Sequence, residues 1–476
     1  MLKTIIGLCA VMSLFVSPAG AALKEKVTAL DDQKSISVTI YNQDLALVKD
    51  LRAIRLPAGE SYLAFREVSA RMRPETALLK SSDLSVIEQN FEFDLLTPQA
   101  LLKKYVGRDV SVVRVHPTTG EETRESARVL SVNDGVVLRM ANHIEMGIPG
   151  RLVFPDVPGN LRDRPTLVLH VNSRTDGLRD VELSYLTGGL NWQADYVAEL
   201  NATDDELDIN GWVTLTNRSG TTYPNARLQL VAGDVHQAPP ERPQSIRFQQ
   251  KGRAVMAEMN ASMAEESMFE YYLYTLSRPT TIKDNQTKQV ALLQAGRIPC
   301  KKEFVLRGSD YYYKSRYDEI GKKIKIGVFV EVENSRKNNL GLPMPKGVVR
   351  VYKKDSKSSL QFIGEDRIDH TPENETIRLK LGDAFDVTAD KKQTDFKKIS
   401  GFSRYHYVYD SSFQIDLKNA KKEEVTVKVV EPIPGDWEMR QESHKHEKPA
   451  SHRAVWYVPV PAQGKATLTY TVRVKF

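Results

Sequence analysis

The sequence predicts an all-β protein: several immunoglobulin-like β-sandwich modules plus a small SH3-like barrel. Two observations carry this expectation: long stretches of alternating apolar and polar residues, and turn-formers between them. The alternating stretches are SISVTIY (Ser35 to Tyr41), TLVLHV (Thr166 to Val171), IKIGVFVEV (Ile324 to Val332), EVTVKVV (Glu424 to Val430) and KATLTYTVRVKF (Lys465 to Phe476). In the last, Leu468, Tyr470, Val472, Val474 and Phe476 share one face. A helix turns every 3.6 residues and cannot keep them there.

The first segment, 1–21, reads as a signal peptide. Lys3 supplies the positive start, Ile5 to Val16 an uncharged apolar run, and Ala19-Gly20-Ala21 the small residues of a cleavage site. The run is shorter than the ~20 residues a membrane helix needs. Cleavage would leave an exported chain, periplasmic or extracellular, with no transmembrane helix and Cys300 as its one cysteine. A lone cysteine cannot close an internal disulfide, so the modules must stand on packing.

The 476 residues suit several domains at roughly 100–200 residues each. Residues 30–96 form an N-terminal β module. Residues 97–158 read as a short helix, with Thr97 as its cap and Pro98 at its first position, leading into the small barrel. Tight turns there fall at Thr119-Gly120, Asn133-Asp134-Gly135 and Gly147 to Gly150. Residues 163–236 begin a sandwich, 237–268 read as a linker or long loop with a helix over Arg253 to Met268, and 269–476 form the C-terminal sandwich region. Four strands run into an asparagine and a polar turn, at Asn42, Asn217, Asn334 and Asn419. Asparagine tolerates left-handed backbone and bonds to nearby backbone, which suits strand ends on a common rim.

The charge balance excludes a nucleic-acid binder. Net charge is +6, but from 67 basic against 61 acidic side chains, a mixed surface rather than a basic face. No phosphate-binding loop, serine-hydrolase elbow or dinucleotide fingerprint occurs, and neither a catalytic residue nor a cofactor is assigned.

Weaker candidates remain. Trp192 lies near Asp195 and Glu199, but along a strand those acids sit about 13 Å apart, too far for a glycosidase pair. Trp192, Ala194, Tyr196, Ala198 and Leu200 share the other face and read as core. His444, His446 and His452 form the one histidine cluster and are the metal candidates. Met256, Met259, Met263 and Met268 recur at roughly helical spacing, as core or as soft copper ligands. Tyr311, Tyr312, Tyr313 and Tyr317, interleaved with Lys314 and Arg316, are the candidate ligand surface, where rings could stack on sugars.

Four stretches together resemble a known family: TGGLNWQADYVAEL (187–200), GWVTLTNRSGTTYPNARLQLVAGDVH (211–236), GLPMPKGVVRVYKKD (341–355) and FIGEDRIDHTPENETIRLKLGDAFDV (362–387). The likeness, over roughly 165–476, is to domain of unknown function 4139, a β-rich exported family that includes mucoidy-inhibitor-like proteins. The resemblance implies no functional residues. Its members often carry a long coiled coil before this region, where this chain has the small-barrel candidate.

Export, β modules and the absence of catalytic signatures favour a non-catalytic envelope protein that binds another protein or a surface glycan. The alternatives are a secreted hydrolase of glycan or peptide, with acids drawn from different strands, and an envelope metal-binding protein.

Overall fold

The computed structural model describes residues 25–92, 94–158, 161–233, 235–237, 263–268, 271–400 and 405–476. Strands dominate, and Pro98–Lys104 is the one α-helix among the described residues. No described helix is long and apolar enough to cross a membrane. The chain divides into two units, one of residues up to 36, 48–187 and 219–221, the other of 37–47, 188–218 and 222–476.

In the first unit, Glu25–Thr28, Gly59–Arg66, Thr166–Ser173 and Leu84–Glu92 lie side by side in that order. Beneath them Arg52 is fully buried. Its guanidinium pairs with Asp50 at 2.8 Å, donates to the Thr28 and Arg66 carbonyls at 3.0 and 2.9 Å, and lies 3.9 Å from the centre of the Phe65 ring. A buried charge needs such a complete set of partners.

The expected barrel segment holds five strands, ordered Ile144–Met146, Val137–Arg139, Glu122–Ser131, Asp109–Val115 and Arg151–Val153. The SH3-like closure does not occur. The two outer strands have three residues each and pair only inward, so the sheet stays open. The helix forms as the sequence specifies: the Thr97 hydroxyl accepts from the Ala100 amide at 3.0 Å. Leu101 and Leu102 pack on a core of Tyr105, Val110, Val112, Ala127, Val129, Leu138 and Met140.

In the second unit a long ladder runs Leu190–Leu200, Glu206–Asn217, Gln286–Arg307, Glu319–Glu333, Thr376–Ile399, Val408–Asn419, Lys465–Lys475. Three of these strands have 22, 15 and 24 residues, long enough to serve two layers. Gln286–Arg307 pairs with Glu206–Asn217 through its first part, and with Glu319–Glu333 and Val425–Pro432 through its last.

The strand after each late asparagine crosses over to pair in parallel. Tyr223–Ala232 pairs with Gln33–Tyr41, Gly347–Lys354 with Leu190–Leu200, and Val425–Pro432 with Gln286–Arg307. The asparagines hold these crossovers with their side chains; none of the four has the left-handed backbone expected of it. Asn334 Nδ2 donates to the carbonyls of Leu342, Thr371 and Pro372, while its Oδ1 accepts from the Gly341 amide. Asn419 Nδ2 donates to Glu423, Val460 and Pro461, and its Oδ1 accepts from the Lys421 amide. Asn217 donates to the Ile282 and Lys283 carbonyls. Asn42 differs: its Nδ2 is buried without an acceptor.

Met263–Met268 is a strand paired with Tyr271–Leu276, not the end of a helix. Residues 238–262, with Met256 and Met259, lie outside the described residues, as does the segment 1–21 read as a signal peptide.

The C-terminal core is a sandwich. Val427, Val429, Trp456 and Val458 from one layer meet Phe413, Ile415, Leu417, Leu468, Tyr470, Val472 and Val474 from the other in a single buried cluster. Phe476 packs at its edge, completing the face read from the final strand.

Candidate ligand-binding cavity

Alternation along three neighbouring strands builds the site. On Val425–Pro432, the residues Val425, Val427, Val429 and Glu431 turn into the core, which leaves Lys428, Val430 and Pro432 on the outer face. On Arg453–Val460, Ala454, Trp456 and Val458 turn inward and Arg453, Val455 and Tyr457 outward. On Gln286–Arg307, Phe304 and Leu306 face the core, opposite Glu303, Val305 and Arg307. Pairing then brings the outer residues together: Arg307 opposite Val430, Val430 opposite Val455, Lys428 opposite Tyr457 and Pro432 opposite Arg453.

Above this face lies a cavity of about 350 Å³. Its charged lining is Arg307, Arg378, Lys428, Arg453 and Glu447, and Val430, Pro432, Val455 and Tyr457 supply apolar wall. Such a volume and mixture suit a small ligand.

Next to Lys428 sits the buried carboxylate of Glu303. Lys301 approaches it at 3.1 Å, Lys428 at 3.2 Å and Arg378 at 3.2 Å; Arg378 also pairs with Glu331 at 3.0 Å. Burial works to raise the Glu303 pKa, but hydrogen bonds from Lys301 and Lys428 and their charges outweigh it and hold the carboxyl below its ordinary range. The Arg307 and Arg453 side chains are exposed, and among the described residues neither makes a hydrogen bond or ion pair; the Arg307 guanidinium lies 5.8 Å from the centre of the Phe329 ring.

Gly308 also lines the cavity, and behind it lies Glu431, fully buried. A Cβ on Gly308 would collide with a Glu431 carboxylate oxygen. Lys391 holds Glu431 at 2.6 Å, and the Tyr313 hydroxyl donates to it at 2.8 Å. Tyr470 joins through the Tyr313 hydroxyl at 2.9 Å.

None of the residues singled out from sequence lines this cavity. Tyr311, Tyr312 and Tyr317 meet edge to face, with Lys314 paired to Asp310 and Arg316 exposed. Tyr313 points away from them into the core. His446 pairs with Glu442 at 2.8 Å and His444 with the Ser443 hydroxyl at 2.9 Å, while His452 is exposed. Among the described residues, no group of three or more histidine, cysteine or acidic side chains is placed to hold a metal ion. Cys300 is half-buried, its thiol pushed up to about 11 by burial and then by Asp205, Asp204 and Glu206.

Trp192, Ala194, Tyr196, Ala198 and Leu200 are all core, as their alternation requires. Asp195 accepts from Thr214 at 2.7 Å, Arg350 at 3.0 Å and Gln193 at 3.3 Å. Burial works to raise its pKa, yet these bonds prevail and lower it. Glu199 pairs with Lys354.

A family model described as Domain of unknown function (DUF4139) matches residues 181–476. The chain belongs to that family. No curated protein matches it. The DUF4139 region contains the whole cavity, from Arg307 to Tyr457. Sequence reading missed these residues because each looks like the ordinary solvent side of a strand. The available signal was the cations at outward positions, Arg307, Lys428 and Arg453, on strands whose inner faces are apolar.

Proposed function

We propose that this DUF4139 protein is exported and binds a ligand by non-covalent contact, with the cavity over Lys428 as its binding site. One observation carries the reading. Among the described residues the Arg307 and Arg453 side chains, at a concave surface, make no ion pair, while the buried acid beside Lys428, Glu303, is enclosed by Lys301, Arg378 and Lys428. A carboxylate held ionised among three cations is a poor proton donor, so the arrangement favours binding over acid–base chemistry. The leader read at 1–21, with its charged start and small-residue cleavage site, supports export. The ligand would be borne by a protein or glycan of the envelope.

Two measurements test this. N-terminal sequencing of the protein from cell fractions should find a mature chain beginning near Ala22; a cytosolic chain starting at Met1 rejects export. A thermal-shift screen of anionic and neutral small molecules should stabilise the protein with anions, without turnover. Conversion of a screened glycan or peptide into products would instead establish the hydrolase reading.

A further inference from the structure

We infer that the group bound in this cavity is a phosphate monoester. The inference rests on the reading of the cavity as a binding site and goes further by naming the ligand class.

Charge leads to it. Arg307, Arg378, Lys428, Arg453 and Glu447 line the cavity, and the ion pairs of Arg378 and Lys428 join Glu303, Glu331 and Lys301 to that lining. Five cations against three anions leave a surplus of two positive charges. The buried Glu431–Lys391 pair behind Gly308 adds none. A phosphate monoester carries about −1.5 to −2 at neutral pH and so cancels the surplus, whereas a monocarboxylate or a sulfate ester cancels half of it.

Donor type agrees. Arg307 and Arg453 each present a planar fork of N–H donors, the geometry that matches phosphate oxygens. They lie on strands that flank Val425–Pro432, so one anionic group over Val430 and Val455 has a guanidinium on either side. The apolar wall from Pro432 to Tyr457 would then take the organic part, and Glu447, across from Val455, could accept from a hydroxyl. The volume of about 350 Å³ admits a group of monosaccharide size together with its phosphate.

The test is calorimetric titration of the full mature chain with glucose 6-phosphate, inorganic sulfate, galacturonate and glucose. It is paired with flotation on phosphatidylcholine vesicles with and without phosphatidic acid. Glucose 6-phosphate or the phosphatidic acid vesicles should bind, galacturonate about tenfold or more weakly, and glucose not at all. Binding to either phosphate source supports the inference, and the tighter one identifies the source. Arg307→Ala and Arg453→Ala should each weaken binding by about ten- to a hundredfold, with unchanged melting temperature because both side chains are exposed. Arg453→Lys should restore part of the loss.

Lowering pH from about 7.5 to about 5 should weaken phosphate binding by about tenfold, because the ester loses its second charge near pH 6. Inorganic sulfate keeps its charge over that range, so it reports any protein-side titration. If galacturonate binds at the same two arginines as tightly as the phosphate, the cavity is a binding site but the phosphate inference is overturned. If no probe binds, or binding ignores both substitutions, the cavity reading falls as well.

Discussion

Lys391 and Glu431 form a salt bridge of 2.6 Å in which both side chains are buried. Burial pulls the Lys391 pKa down, against the opposing pull of Glu431. The same surroundings push Tyr313 and Tyr470 well above their ordinary value: burial first, then the Glu431 charge. The pair sits directly behind Gly308, so the sandwich core and the cavity floor meet at one carboxylate.

Breaking the pair from one side should be costly. Glu431→Ala leaves Lys391 buried and uncompensated, and should lower stability by about 3–5 kcal/mol. Replacing both, Lys391→Met with Glu431→Leu, should recover most of that loss. Urea unfolding of the three proteins checks it; equal destabilisation by the single and double variants would contradict the account.

Gly308→Ala should also destabilise, by about 1–3 kcal/mol, because the added methyl meets Glu431, which Lys391 and Tyr313 hold in place. Thermal unfolding reads it directly, and an unchanged melting temperature would mean that the Gly308 backbone gives way.

The asparagine clips make a sharper forecast. In Asn334→Asp or Asn419→Asp, a carboxylate replaces an amide that donates to three carbonyls, and it would face those oxygens. Each substitution should cost about 2 kcal/mol or more. Asn42→Asp should cost less, because the Asn42 amide nitrogen has no acceptor to lose. Comparing the three variants by chemical denaturation tests whether the clip, rather than the turn, fixes the crossover.

Acid should weaken the DUF4139 region in a defined window. Asp195, Asp204 and Glu303 all have pKa values held below their ordinary 3.8, 3.8 and 4.5. In each case burial opposes the shift, and bonds from Thr214 and Arg350, from Lys302 and Lys353, and from Lys301 and Lys428 overcome it. A carboxylate with a depressed folded pKa binds its proton more readily when unfolded. Its contribution is therefore complete above about pH 5 and is lost as pH falls through the folded values. Unfolding followed from pH 7 down to pH 2 should show a plateau, then a decline; Glu303→Gln should make the decline shallower.

Much of the fold is legible in local residue patterns. Period-2 alternation marks the strands Gln33–Tyr41, Thr166–Ser173, Glu319–Glu333, Val425–Pro432 and Lys465–Lys475 to within a few residues, because each has one face in a core. Thr97 and Pro98 mark the helix because capping is a local event. Barrel closure was not legible: it depends on whether two edge strands reach each other, which no local pattern encodes. The cavity was hidden for a related reason. Alternation shows that Arg307, Lys428 and Arg453 face outward, but not that their strands adjoin, since Phe304 pairs with Val427 across more than a hundred residues. Tyr313 shows the opposite case, a residue that resembles its exposed neighbours in sequence while a short helical turn at Asp310–Tyr313 directs it into the core.

The most direct trial of the central claim is a crystal structure of the protein soaked with glucose 6-phosphate. The account predicts phosphate density between the Arg307 and Arg453 guanidinium groups, with the sugar against Tyr457. Density confined to another site, or a cavity left empty under conditions where calorimetry shows saturation, would contradict it.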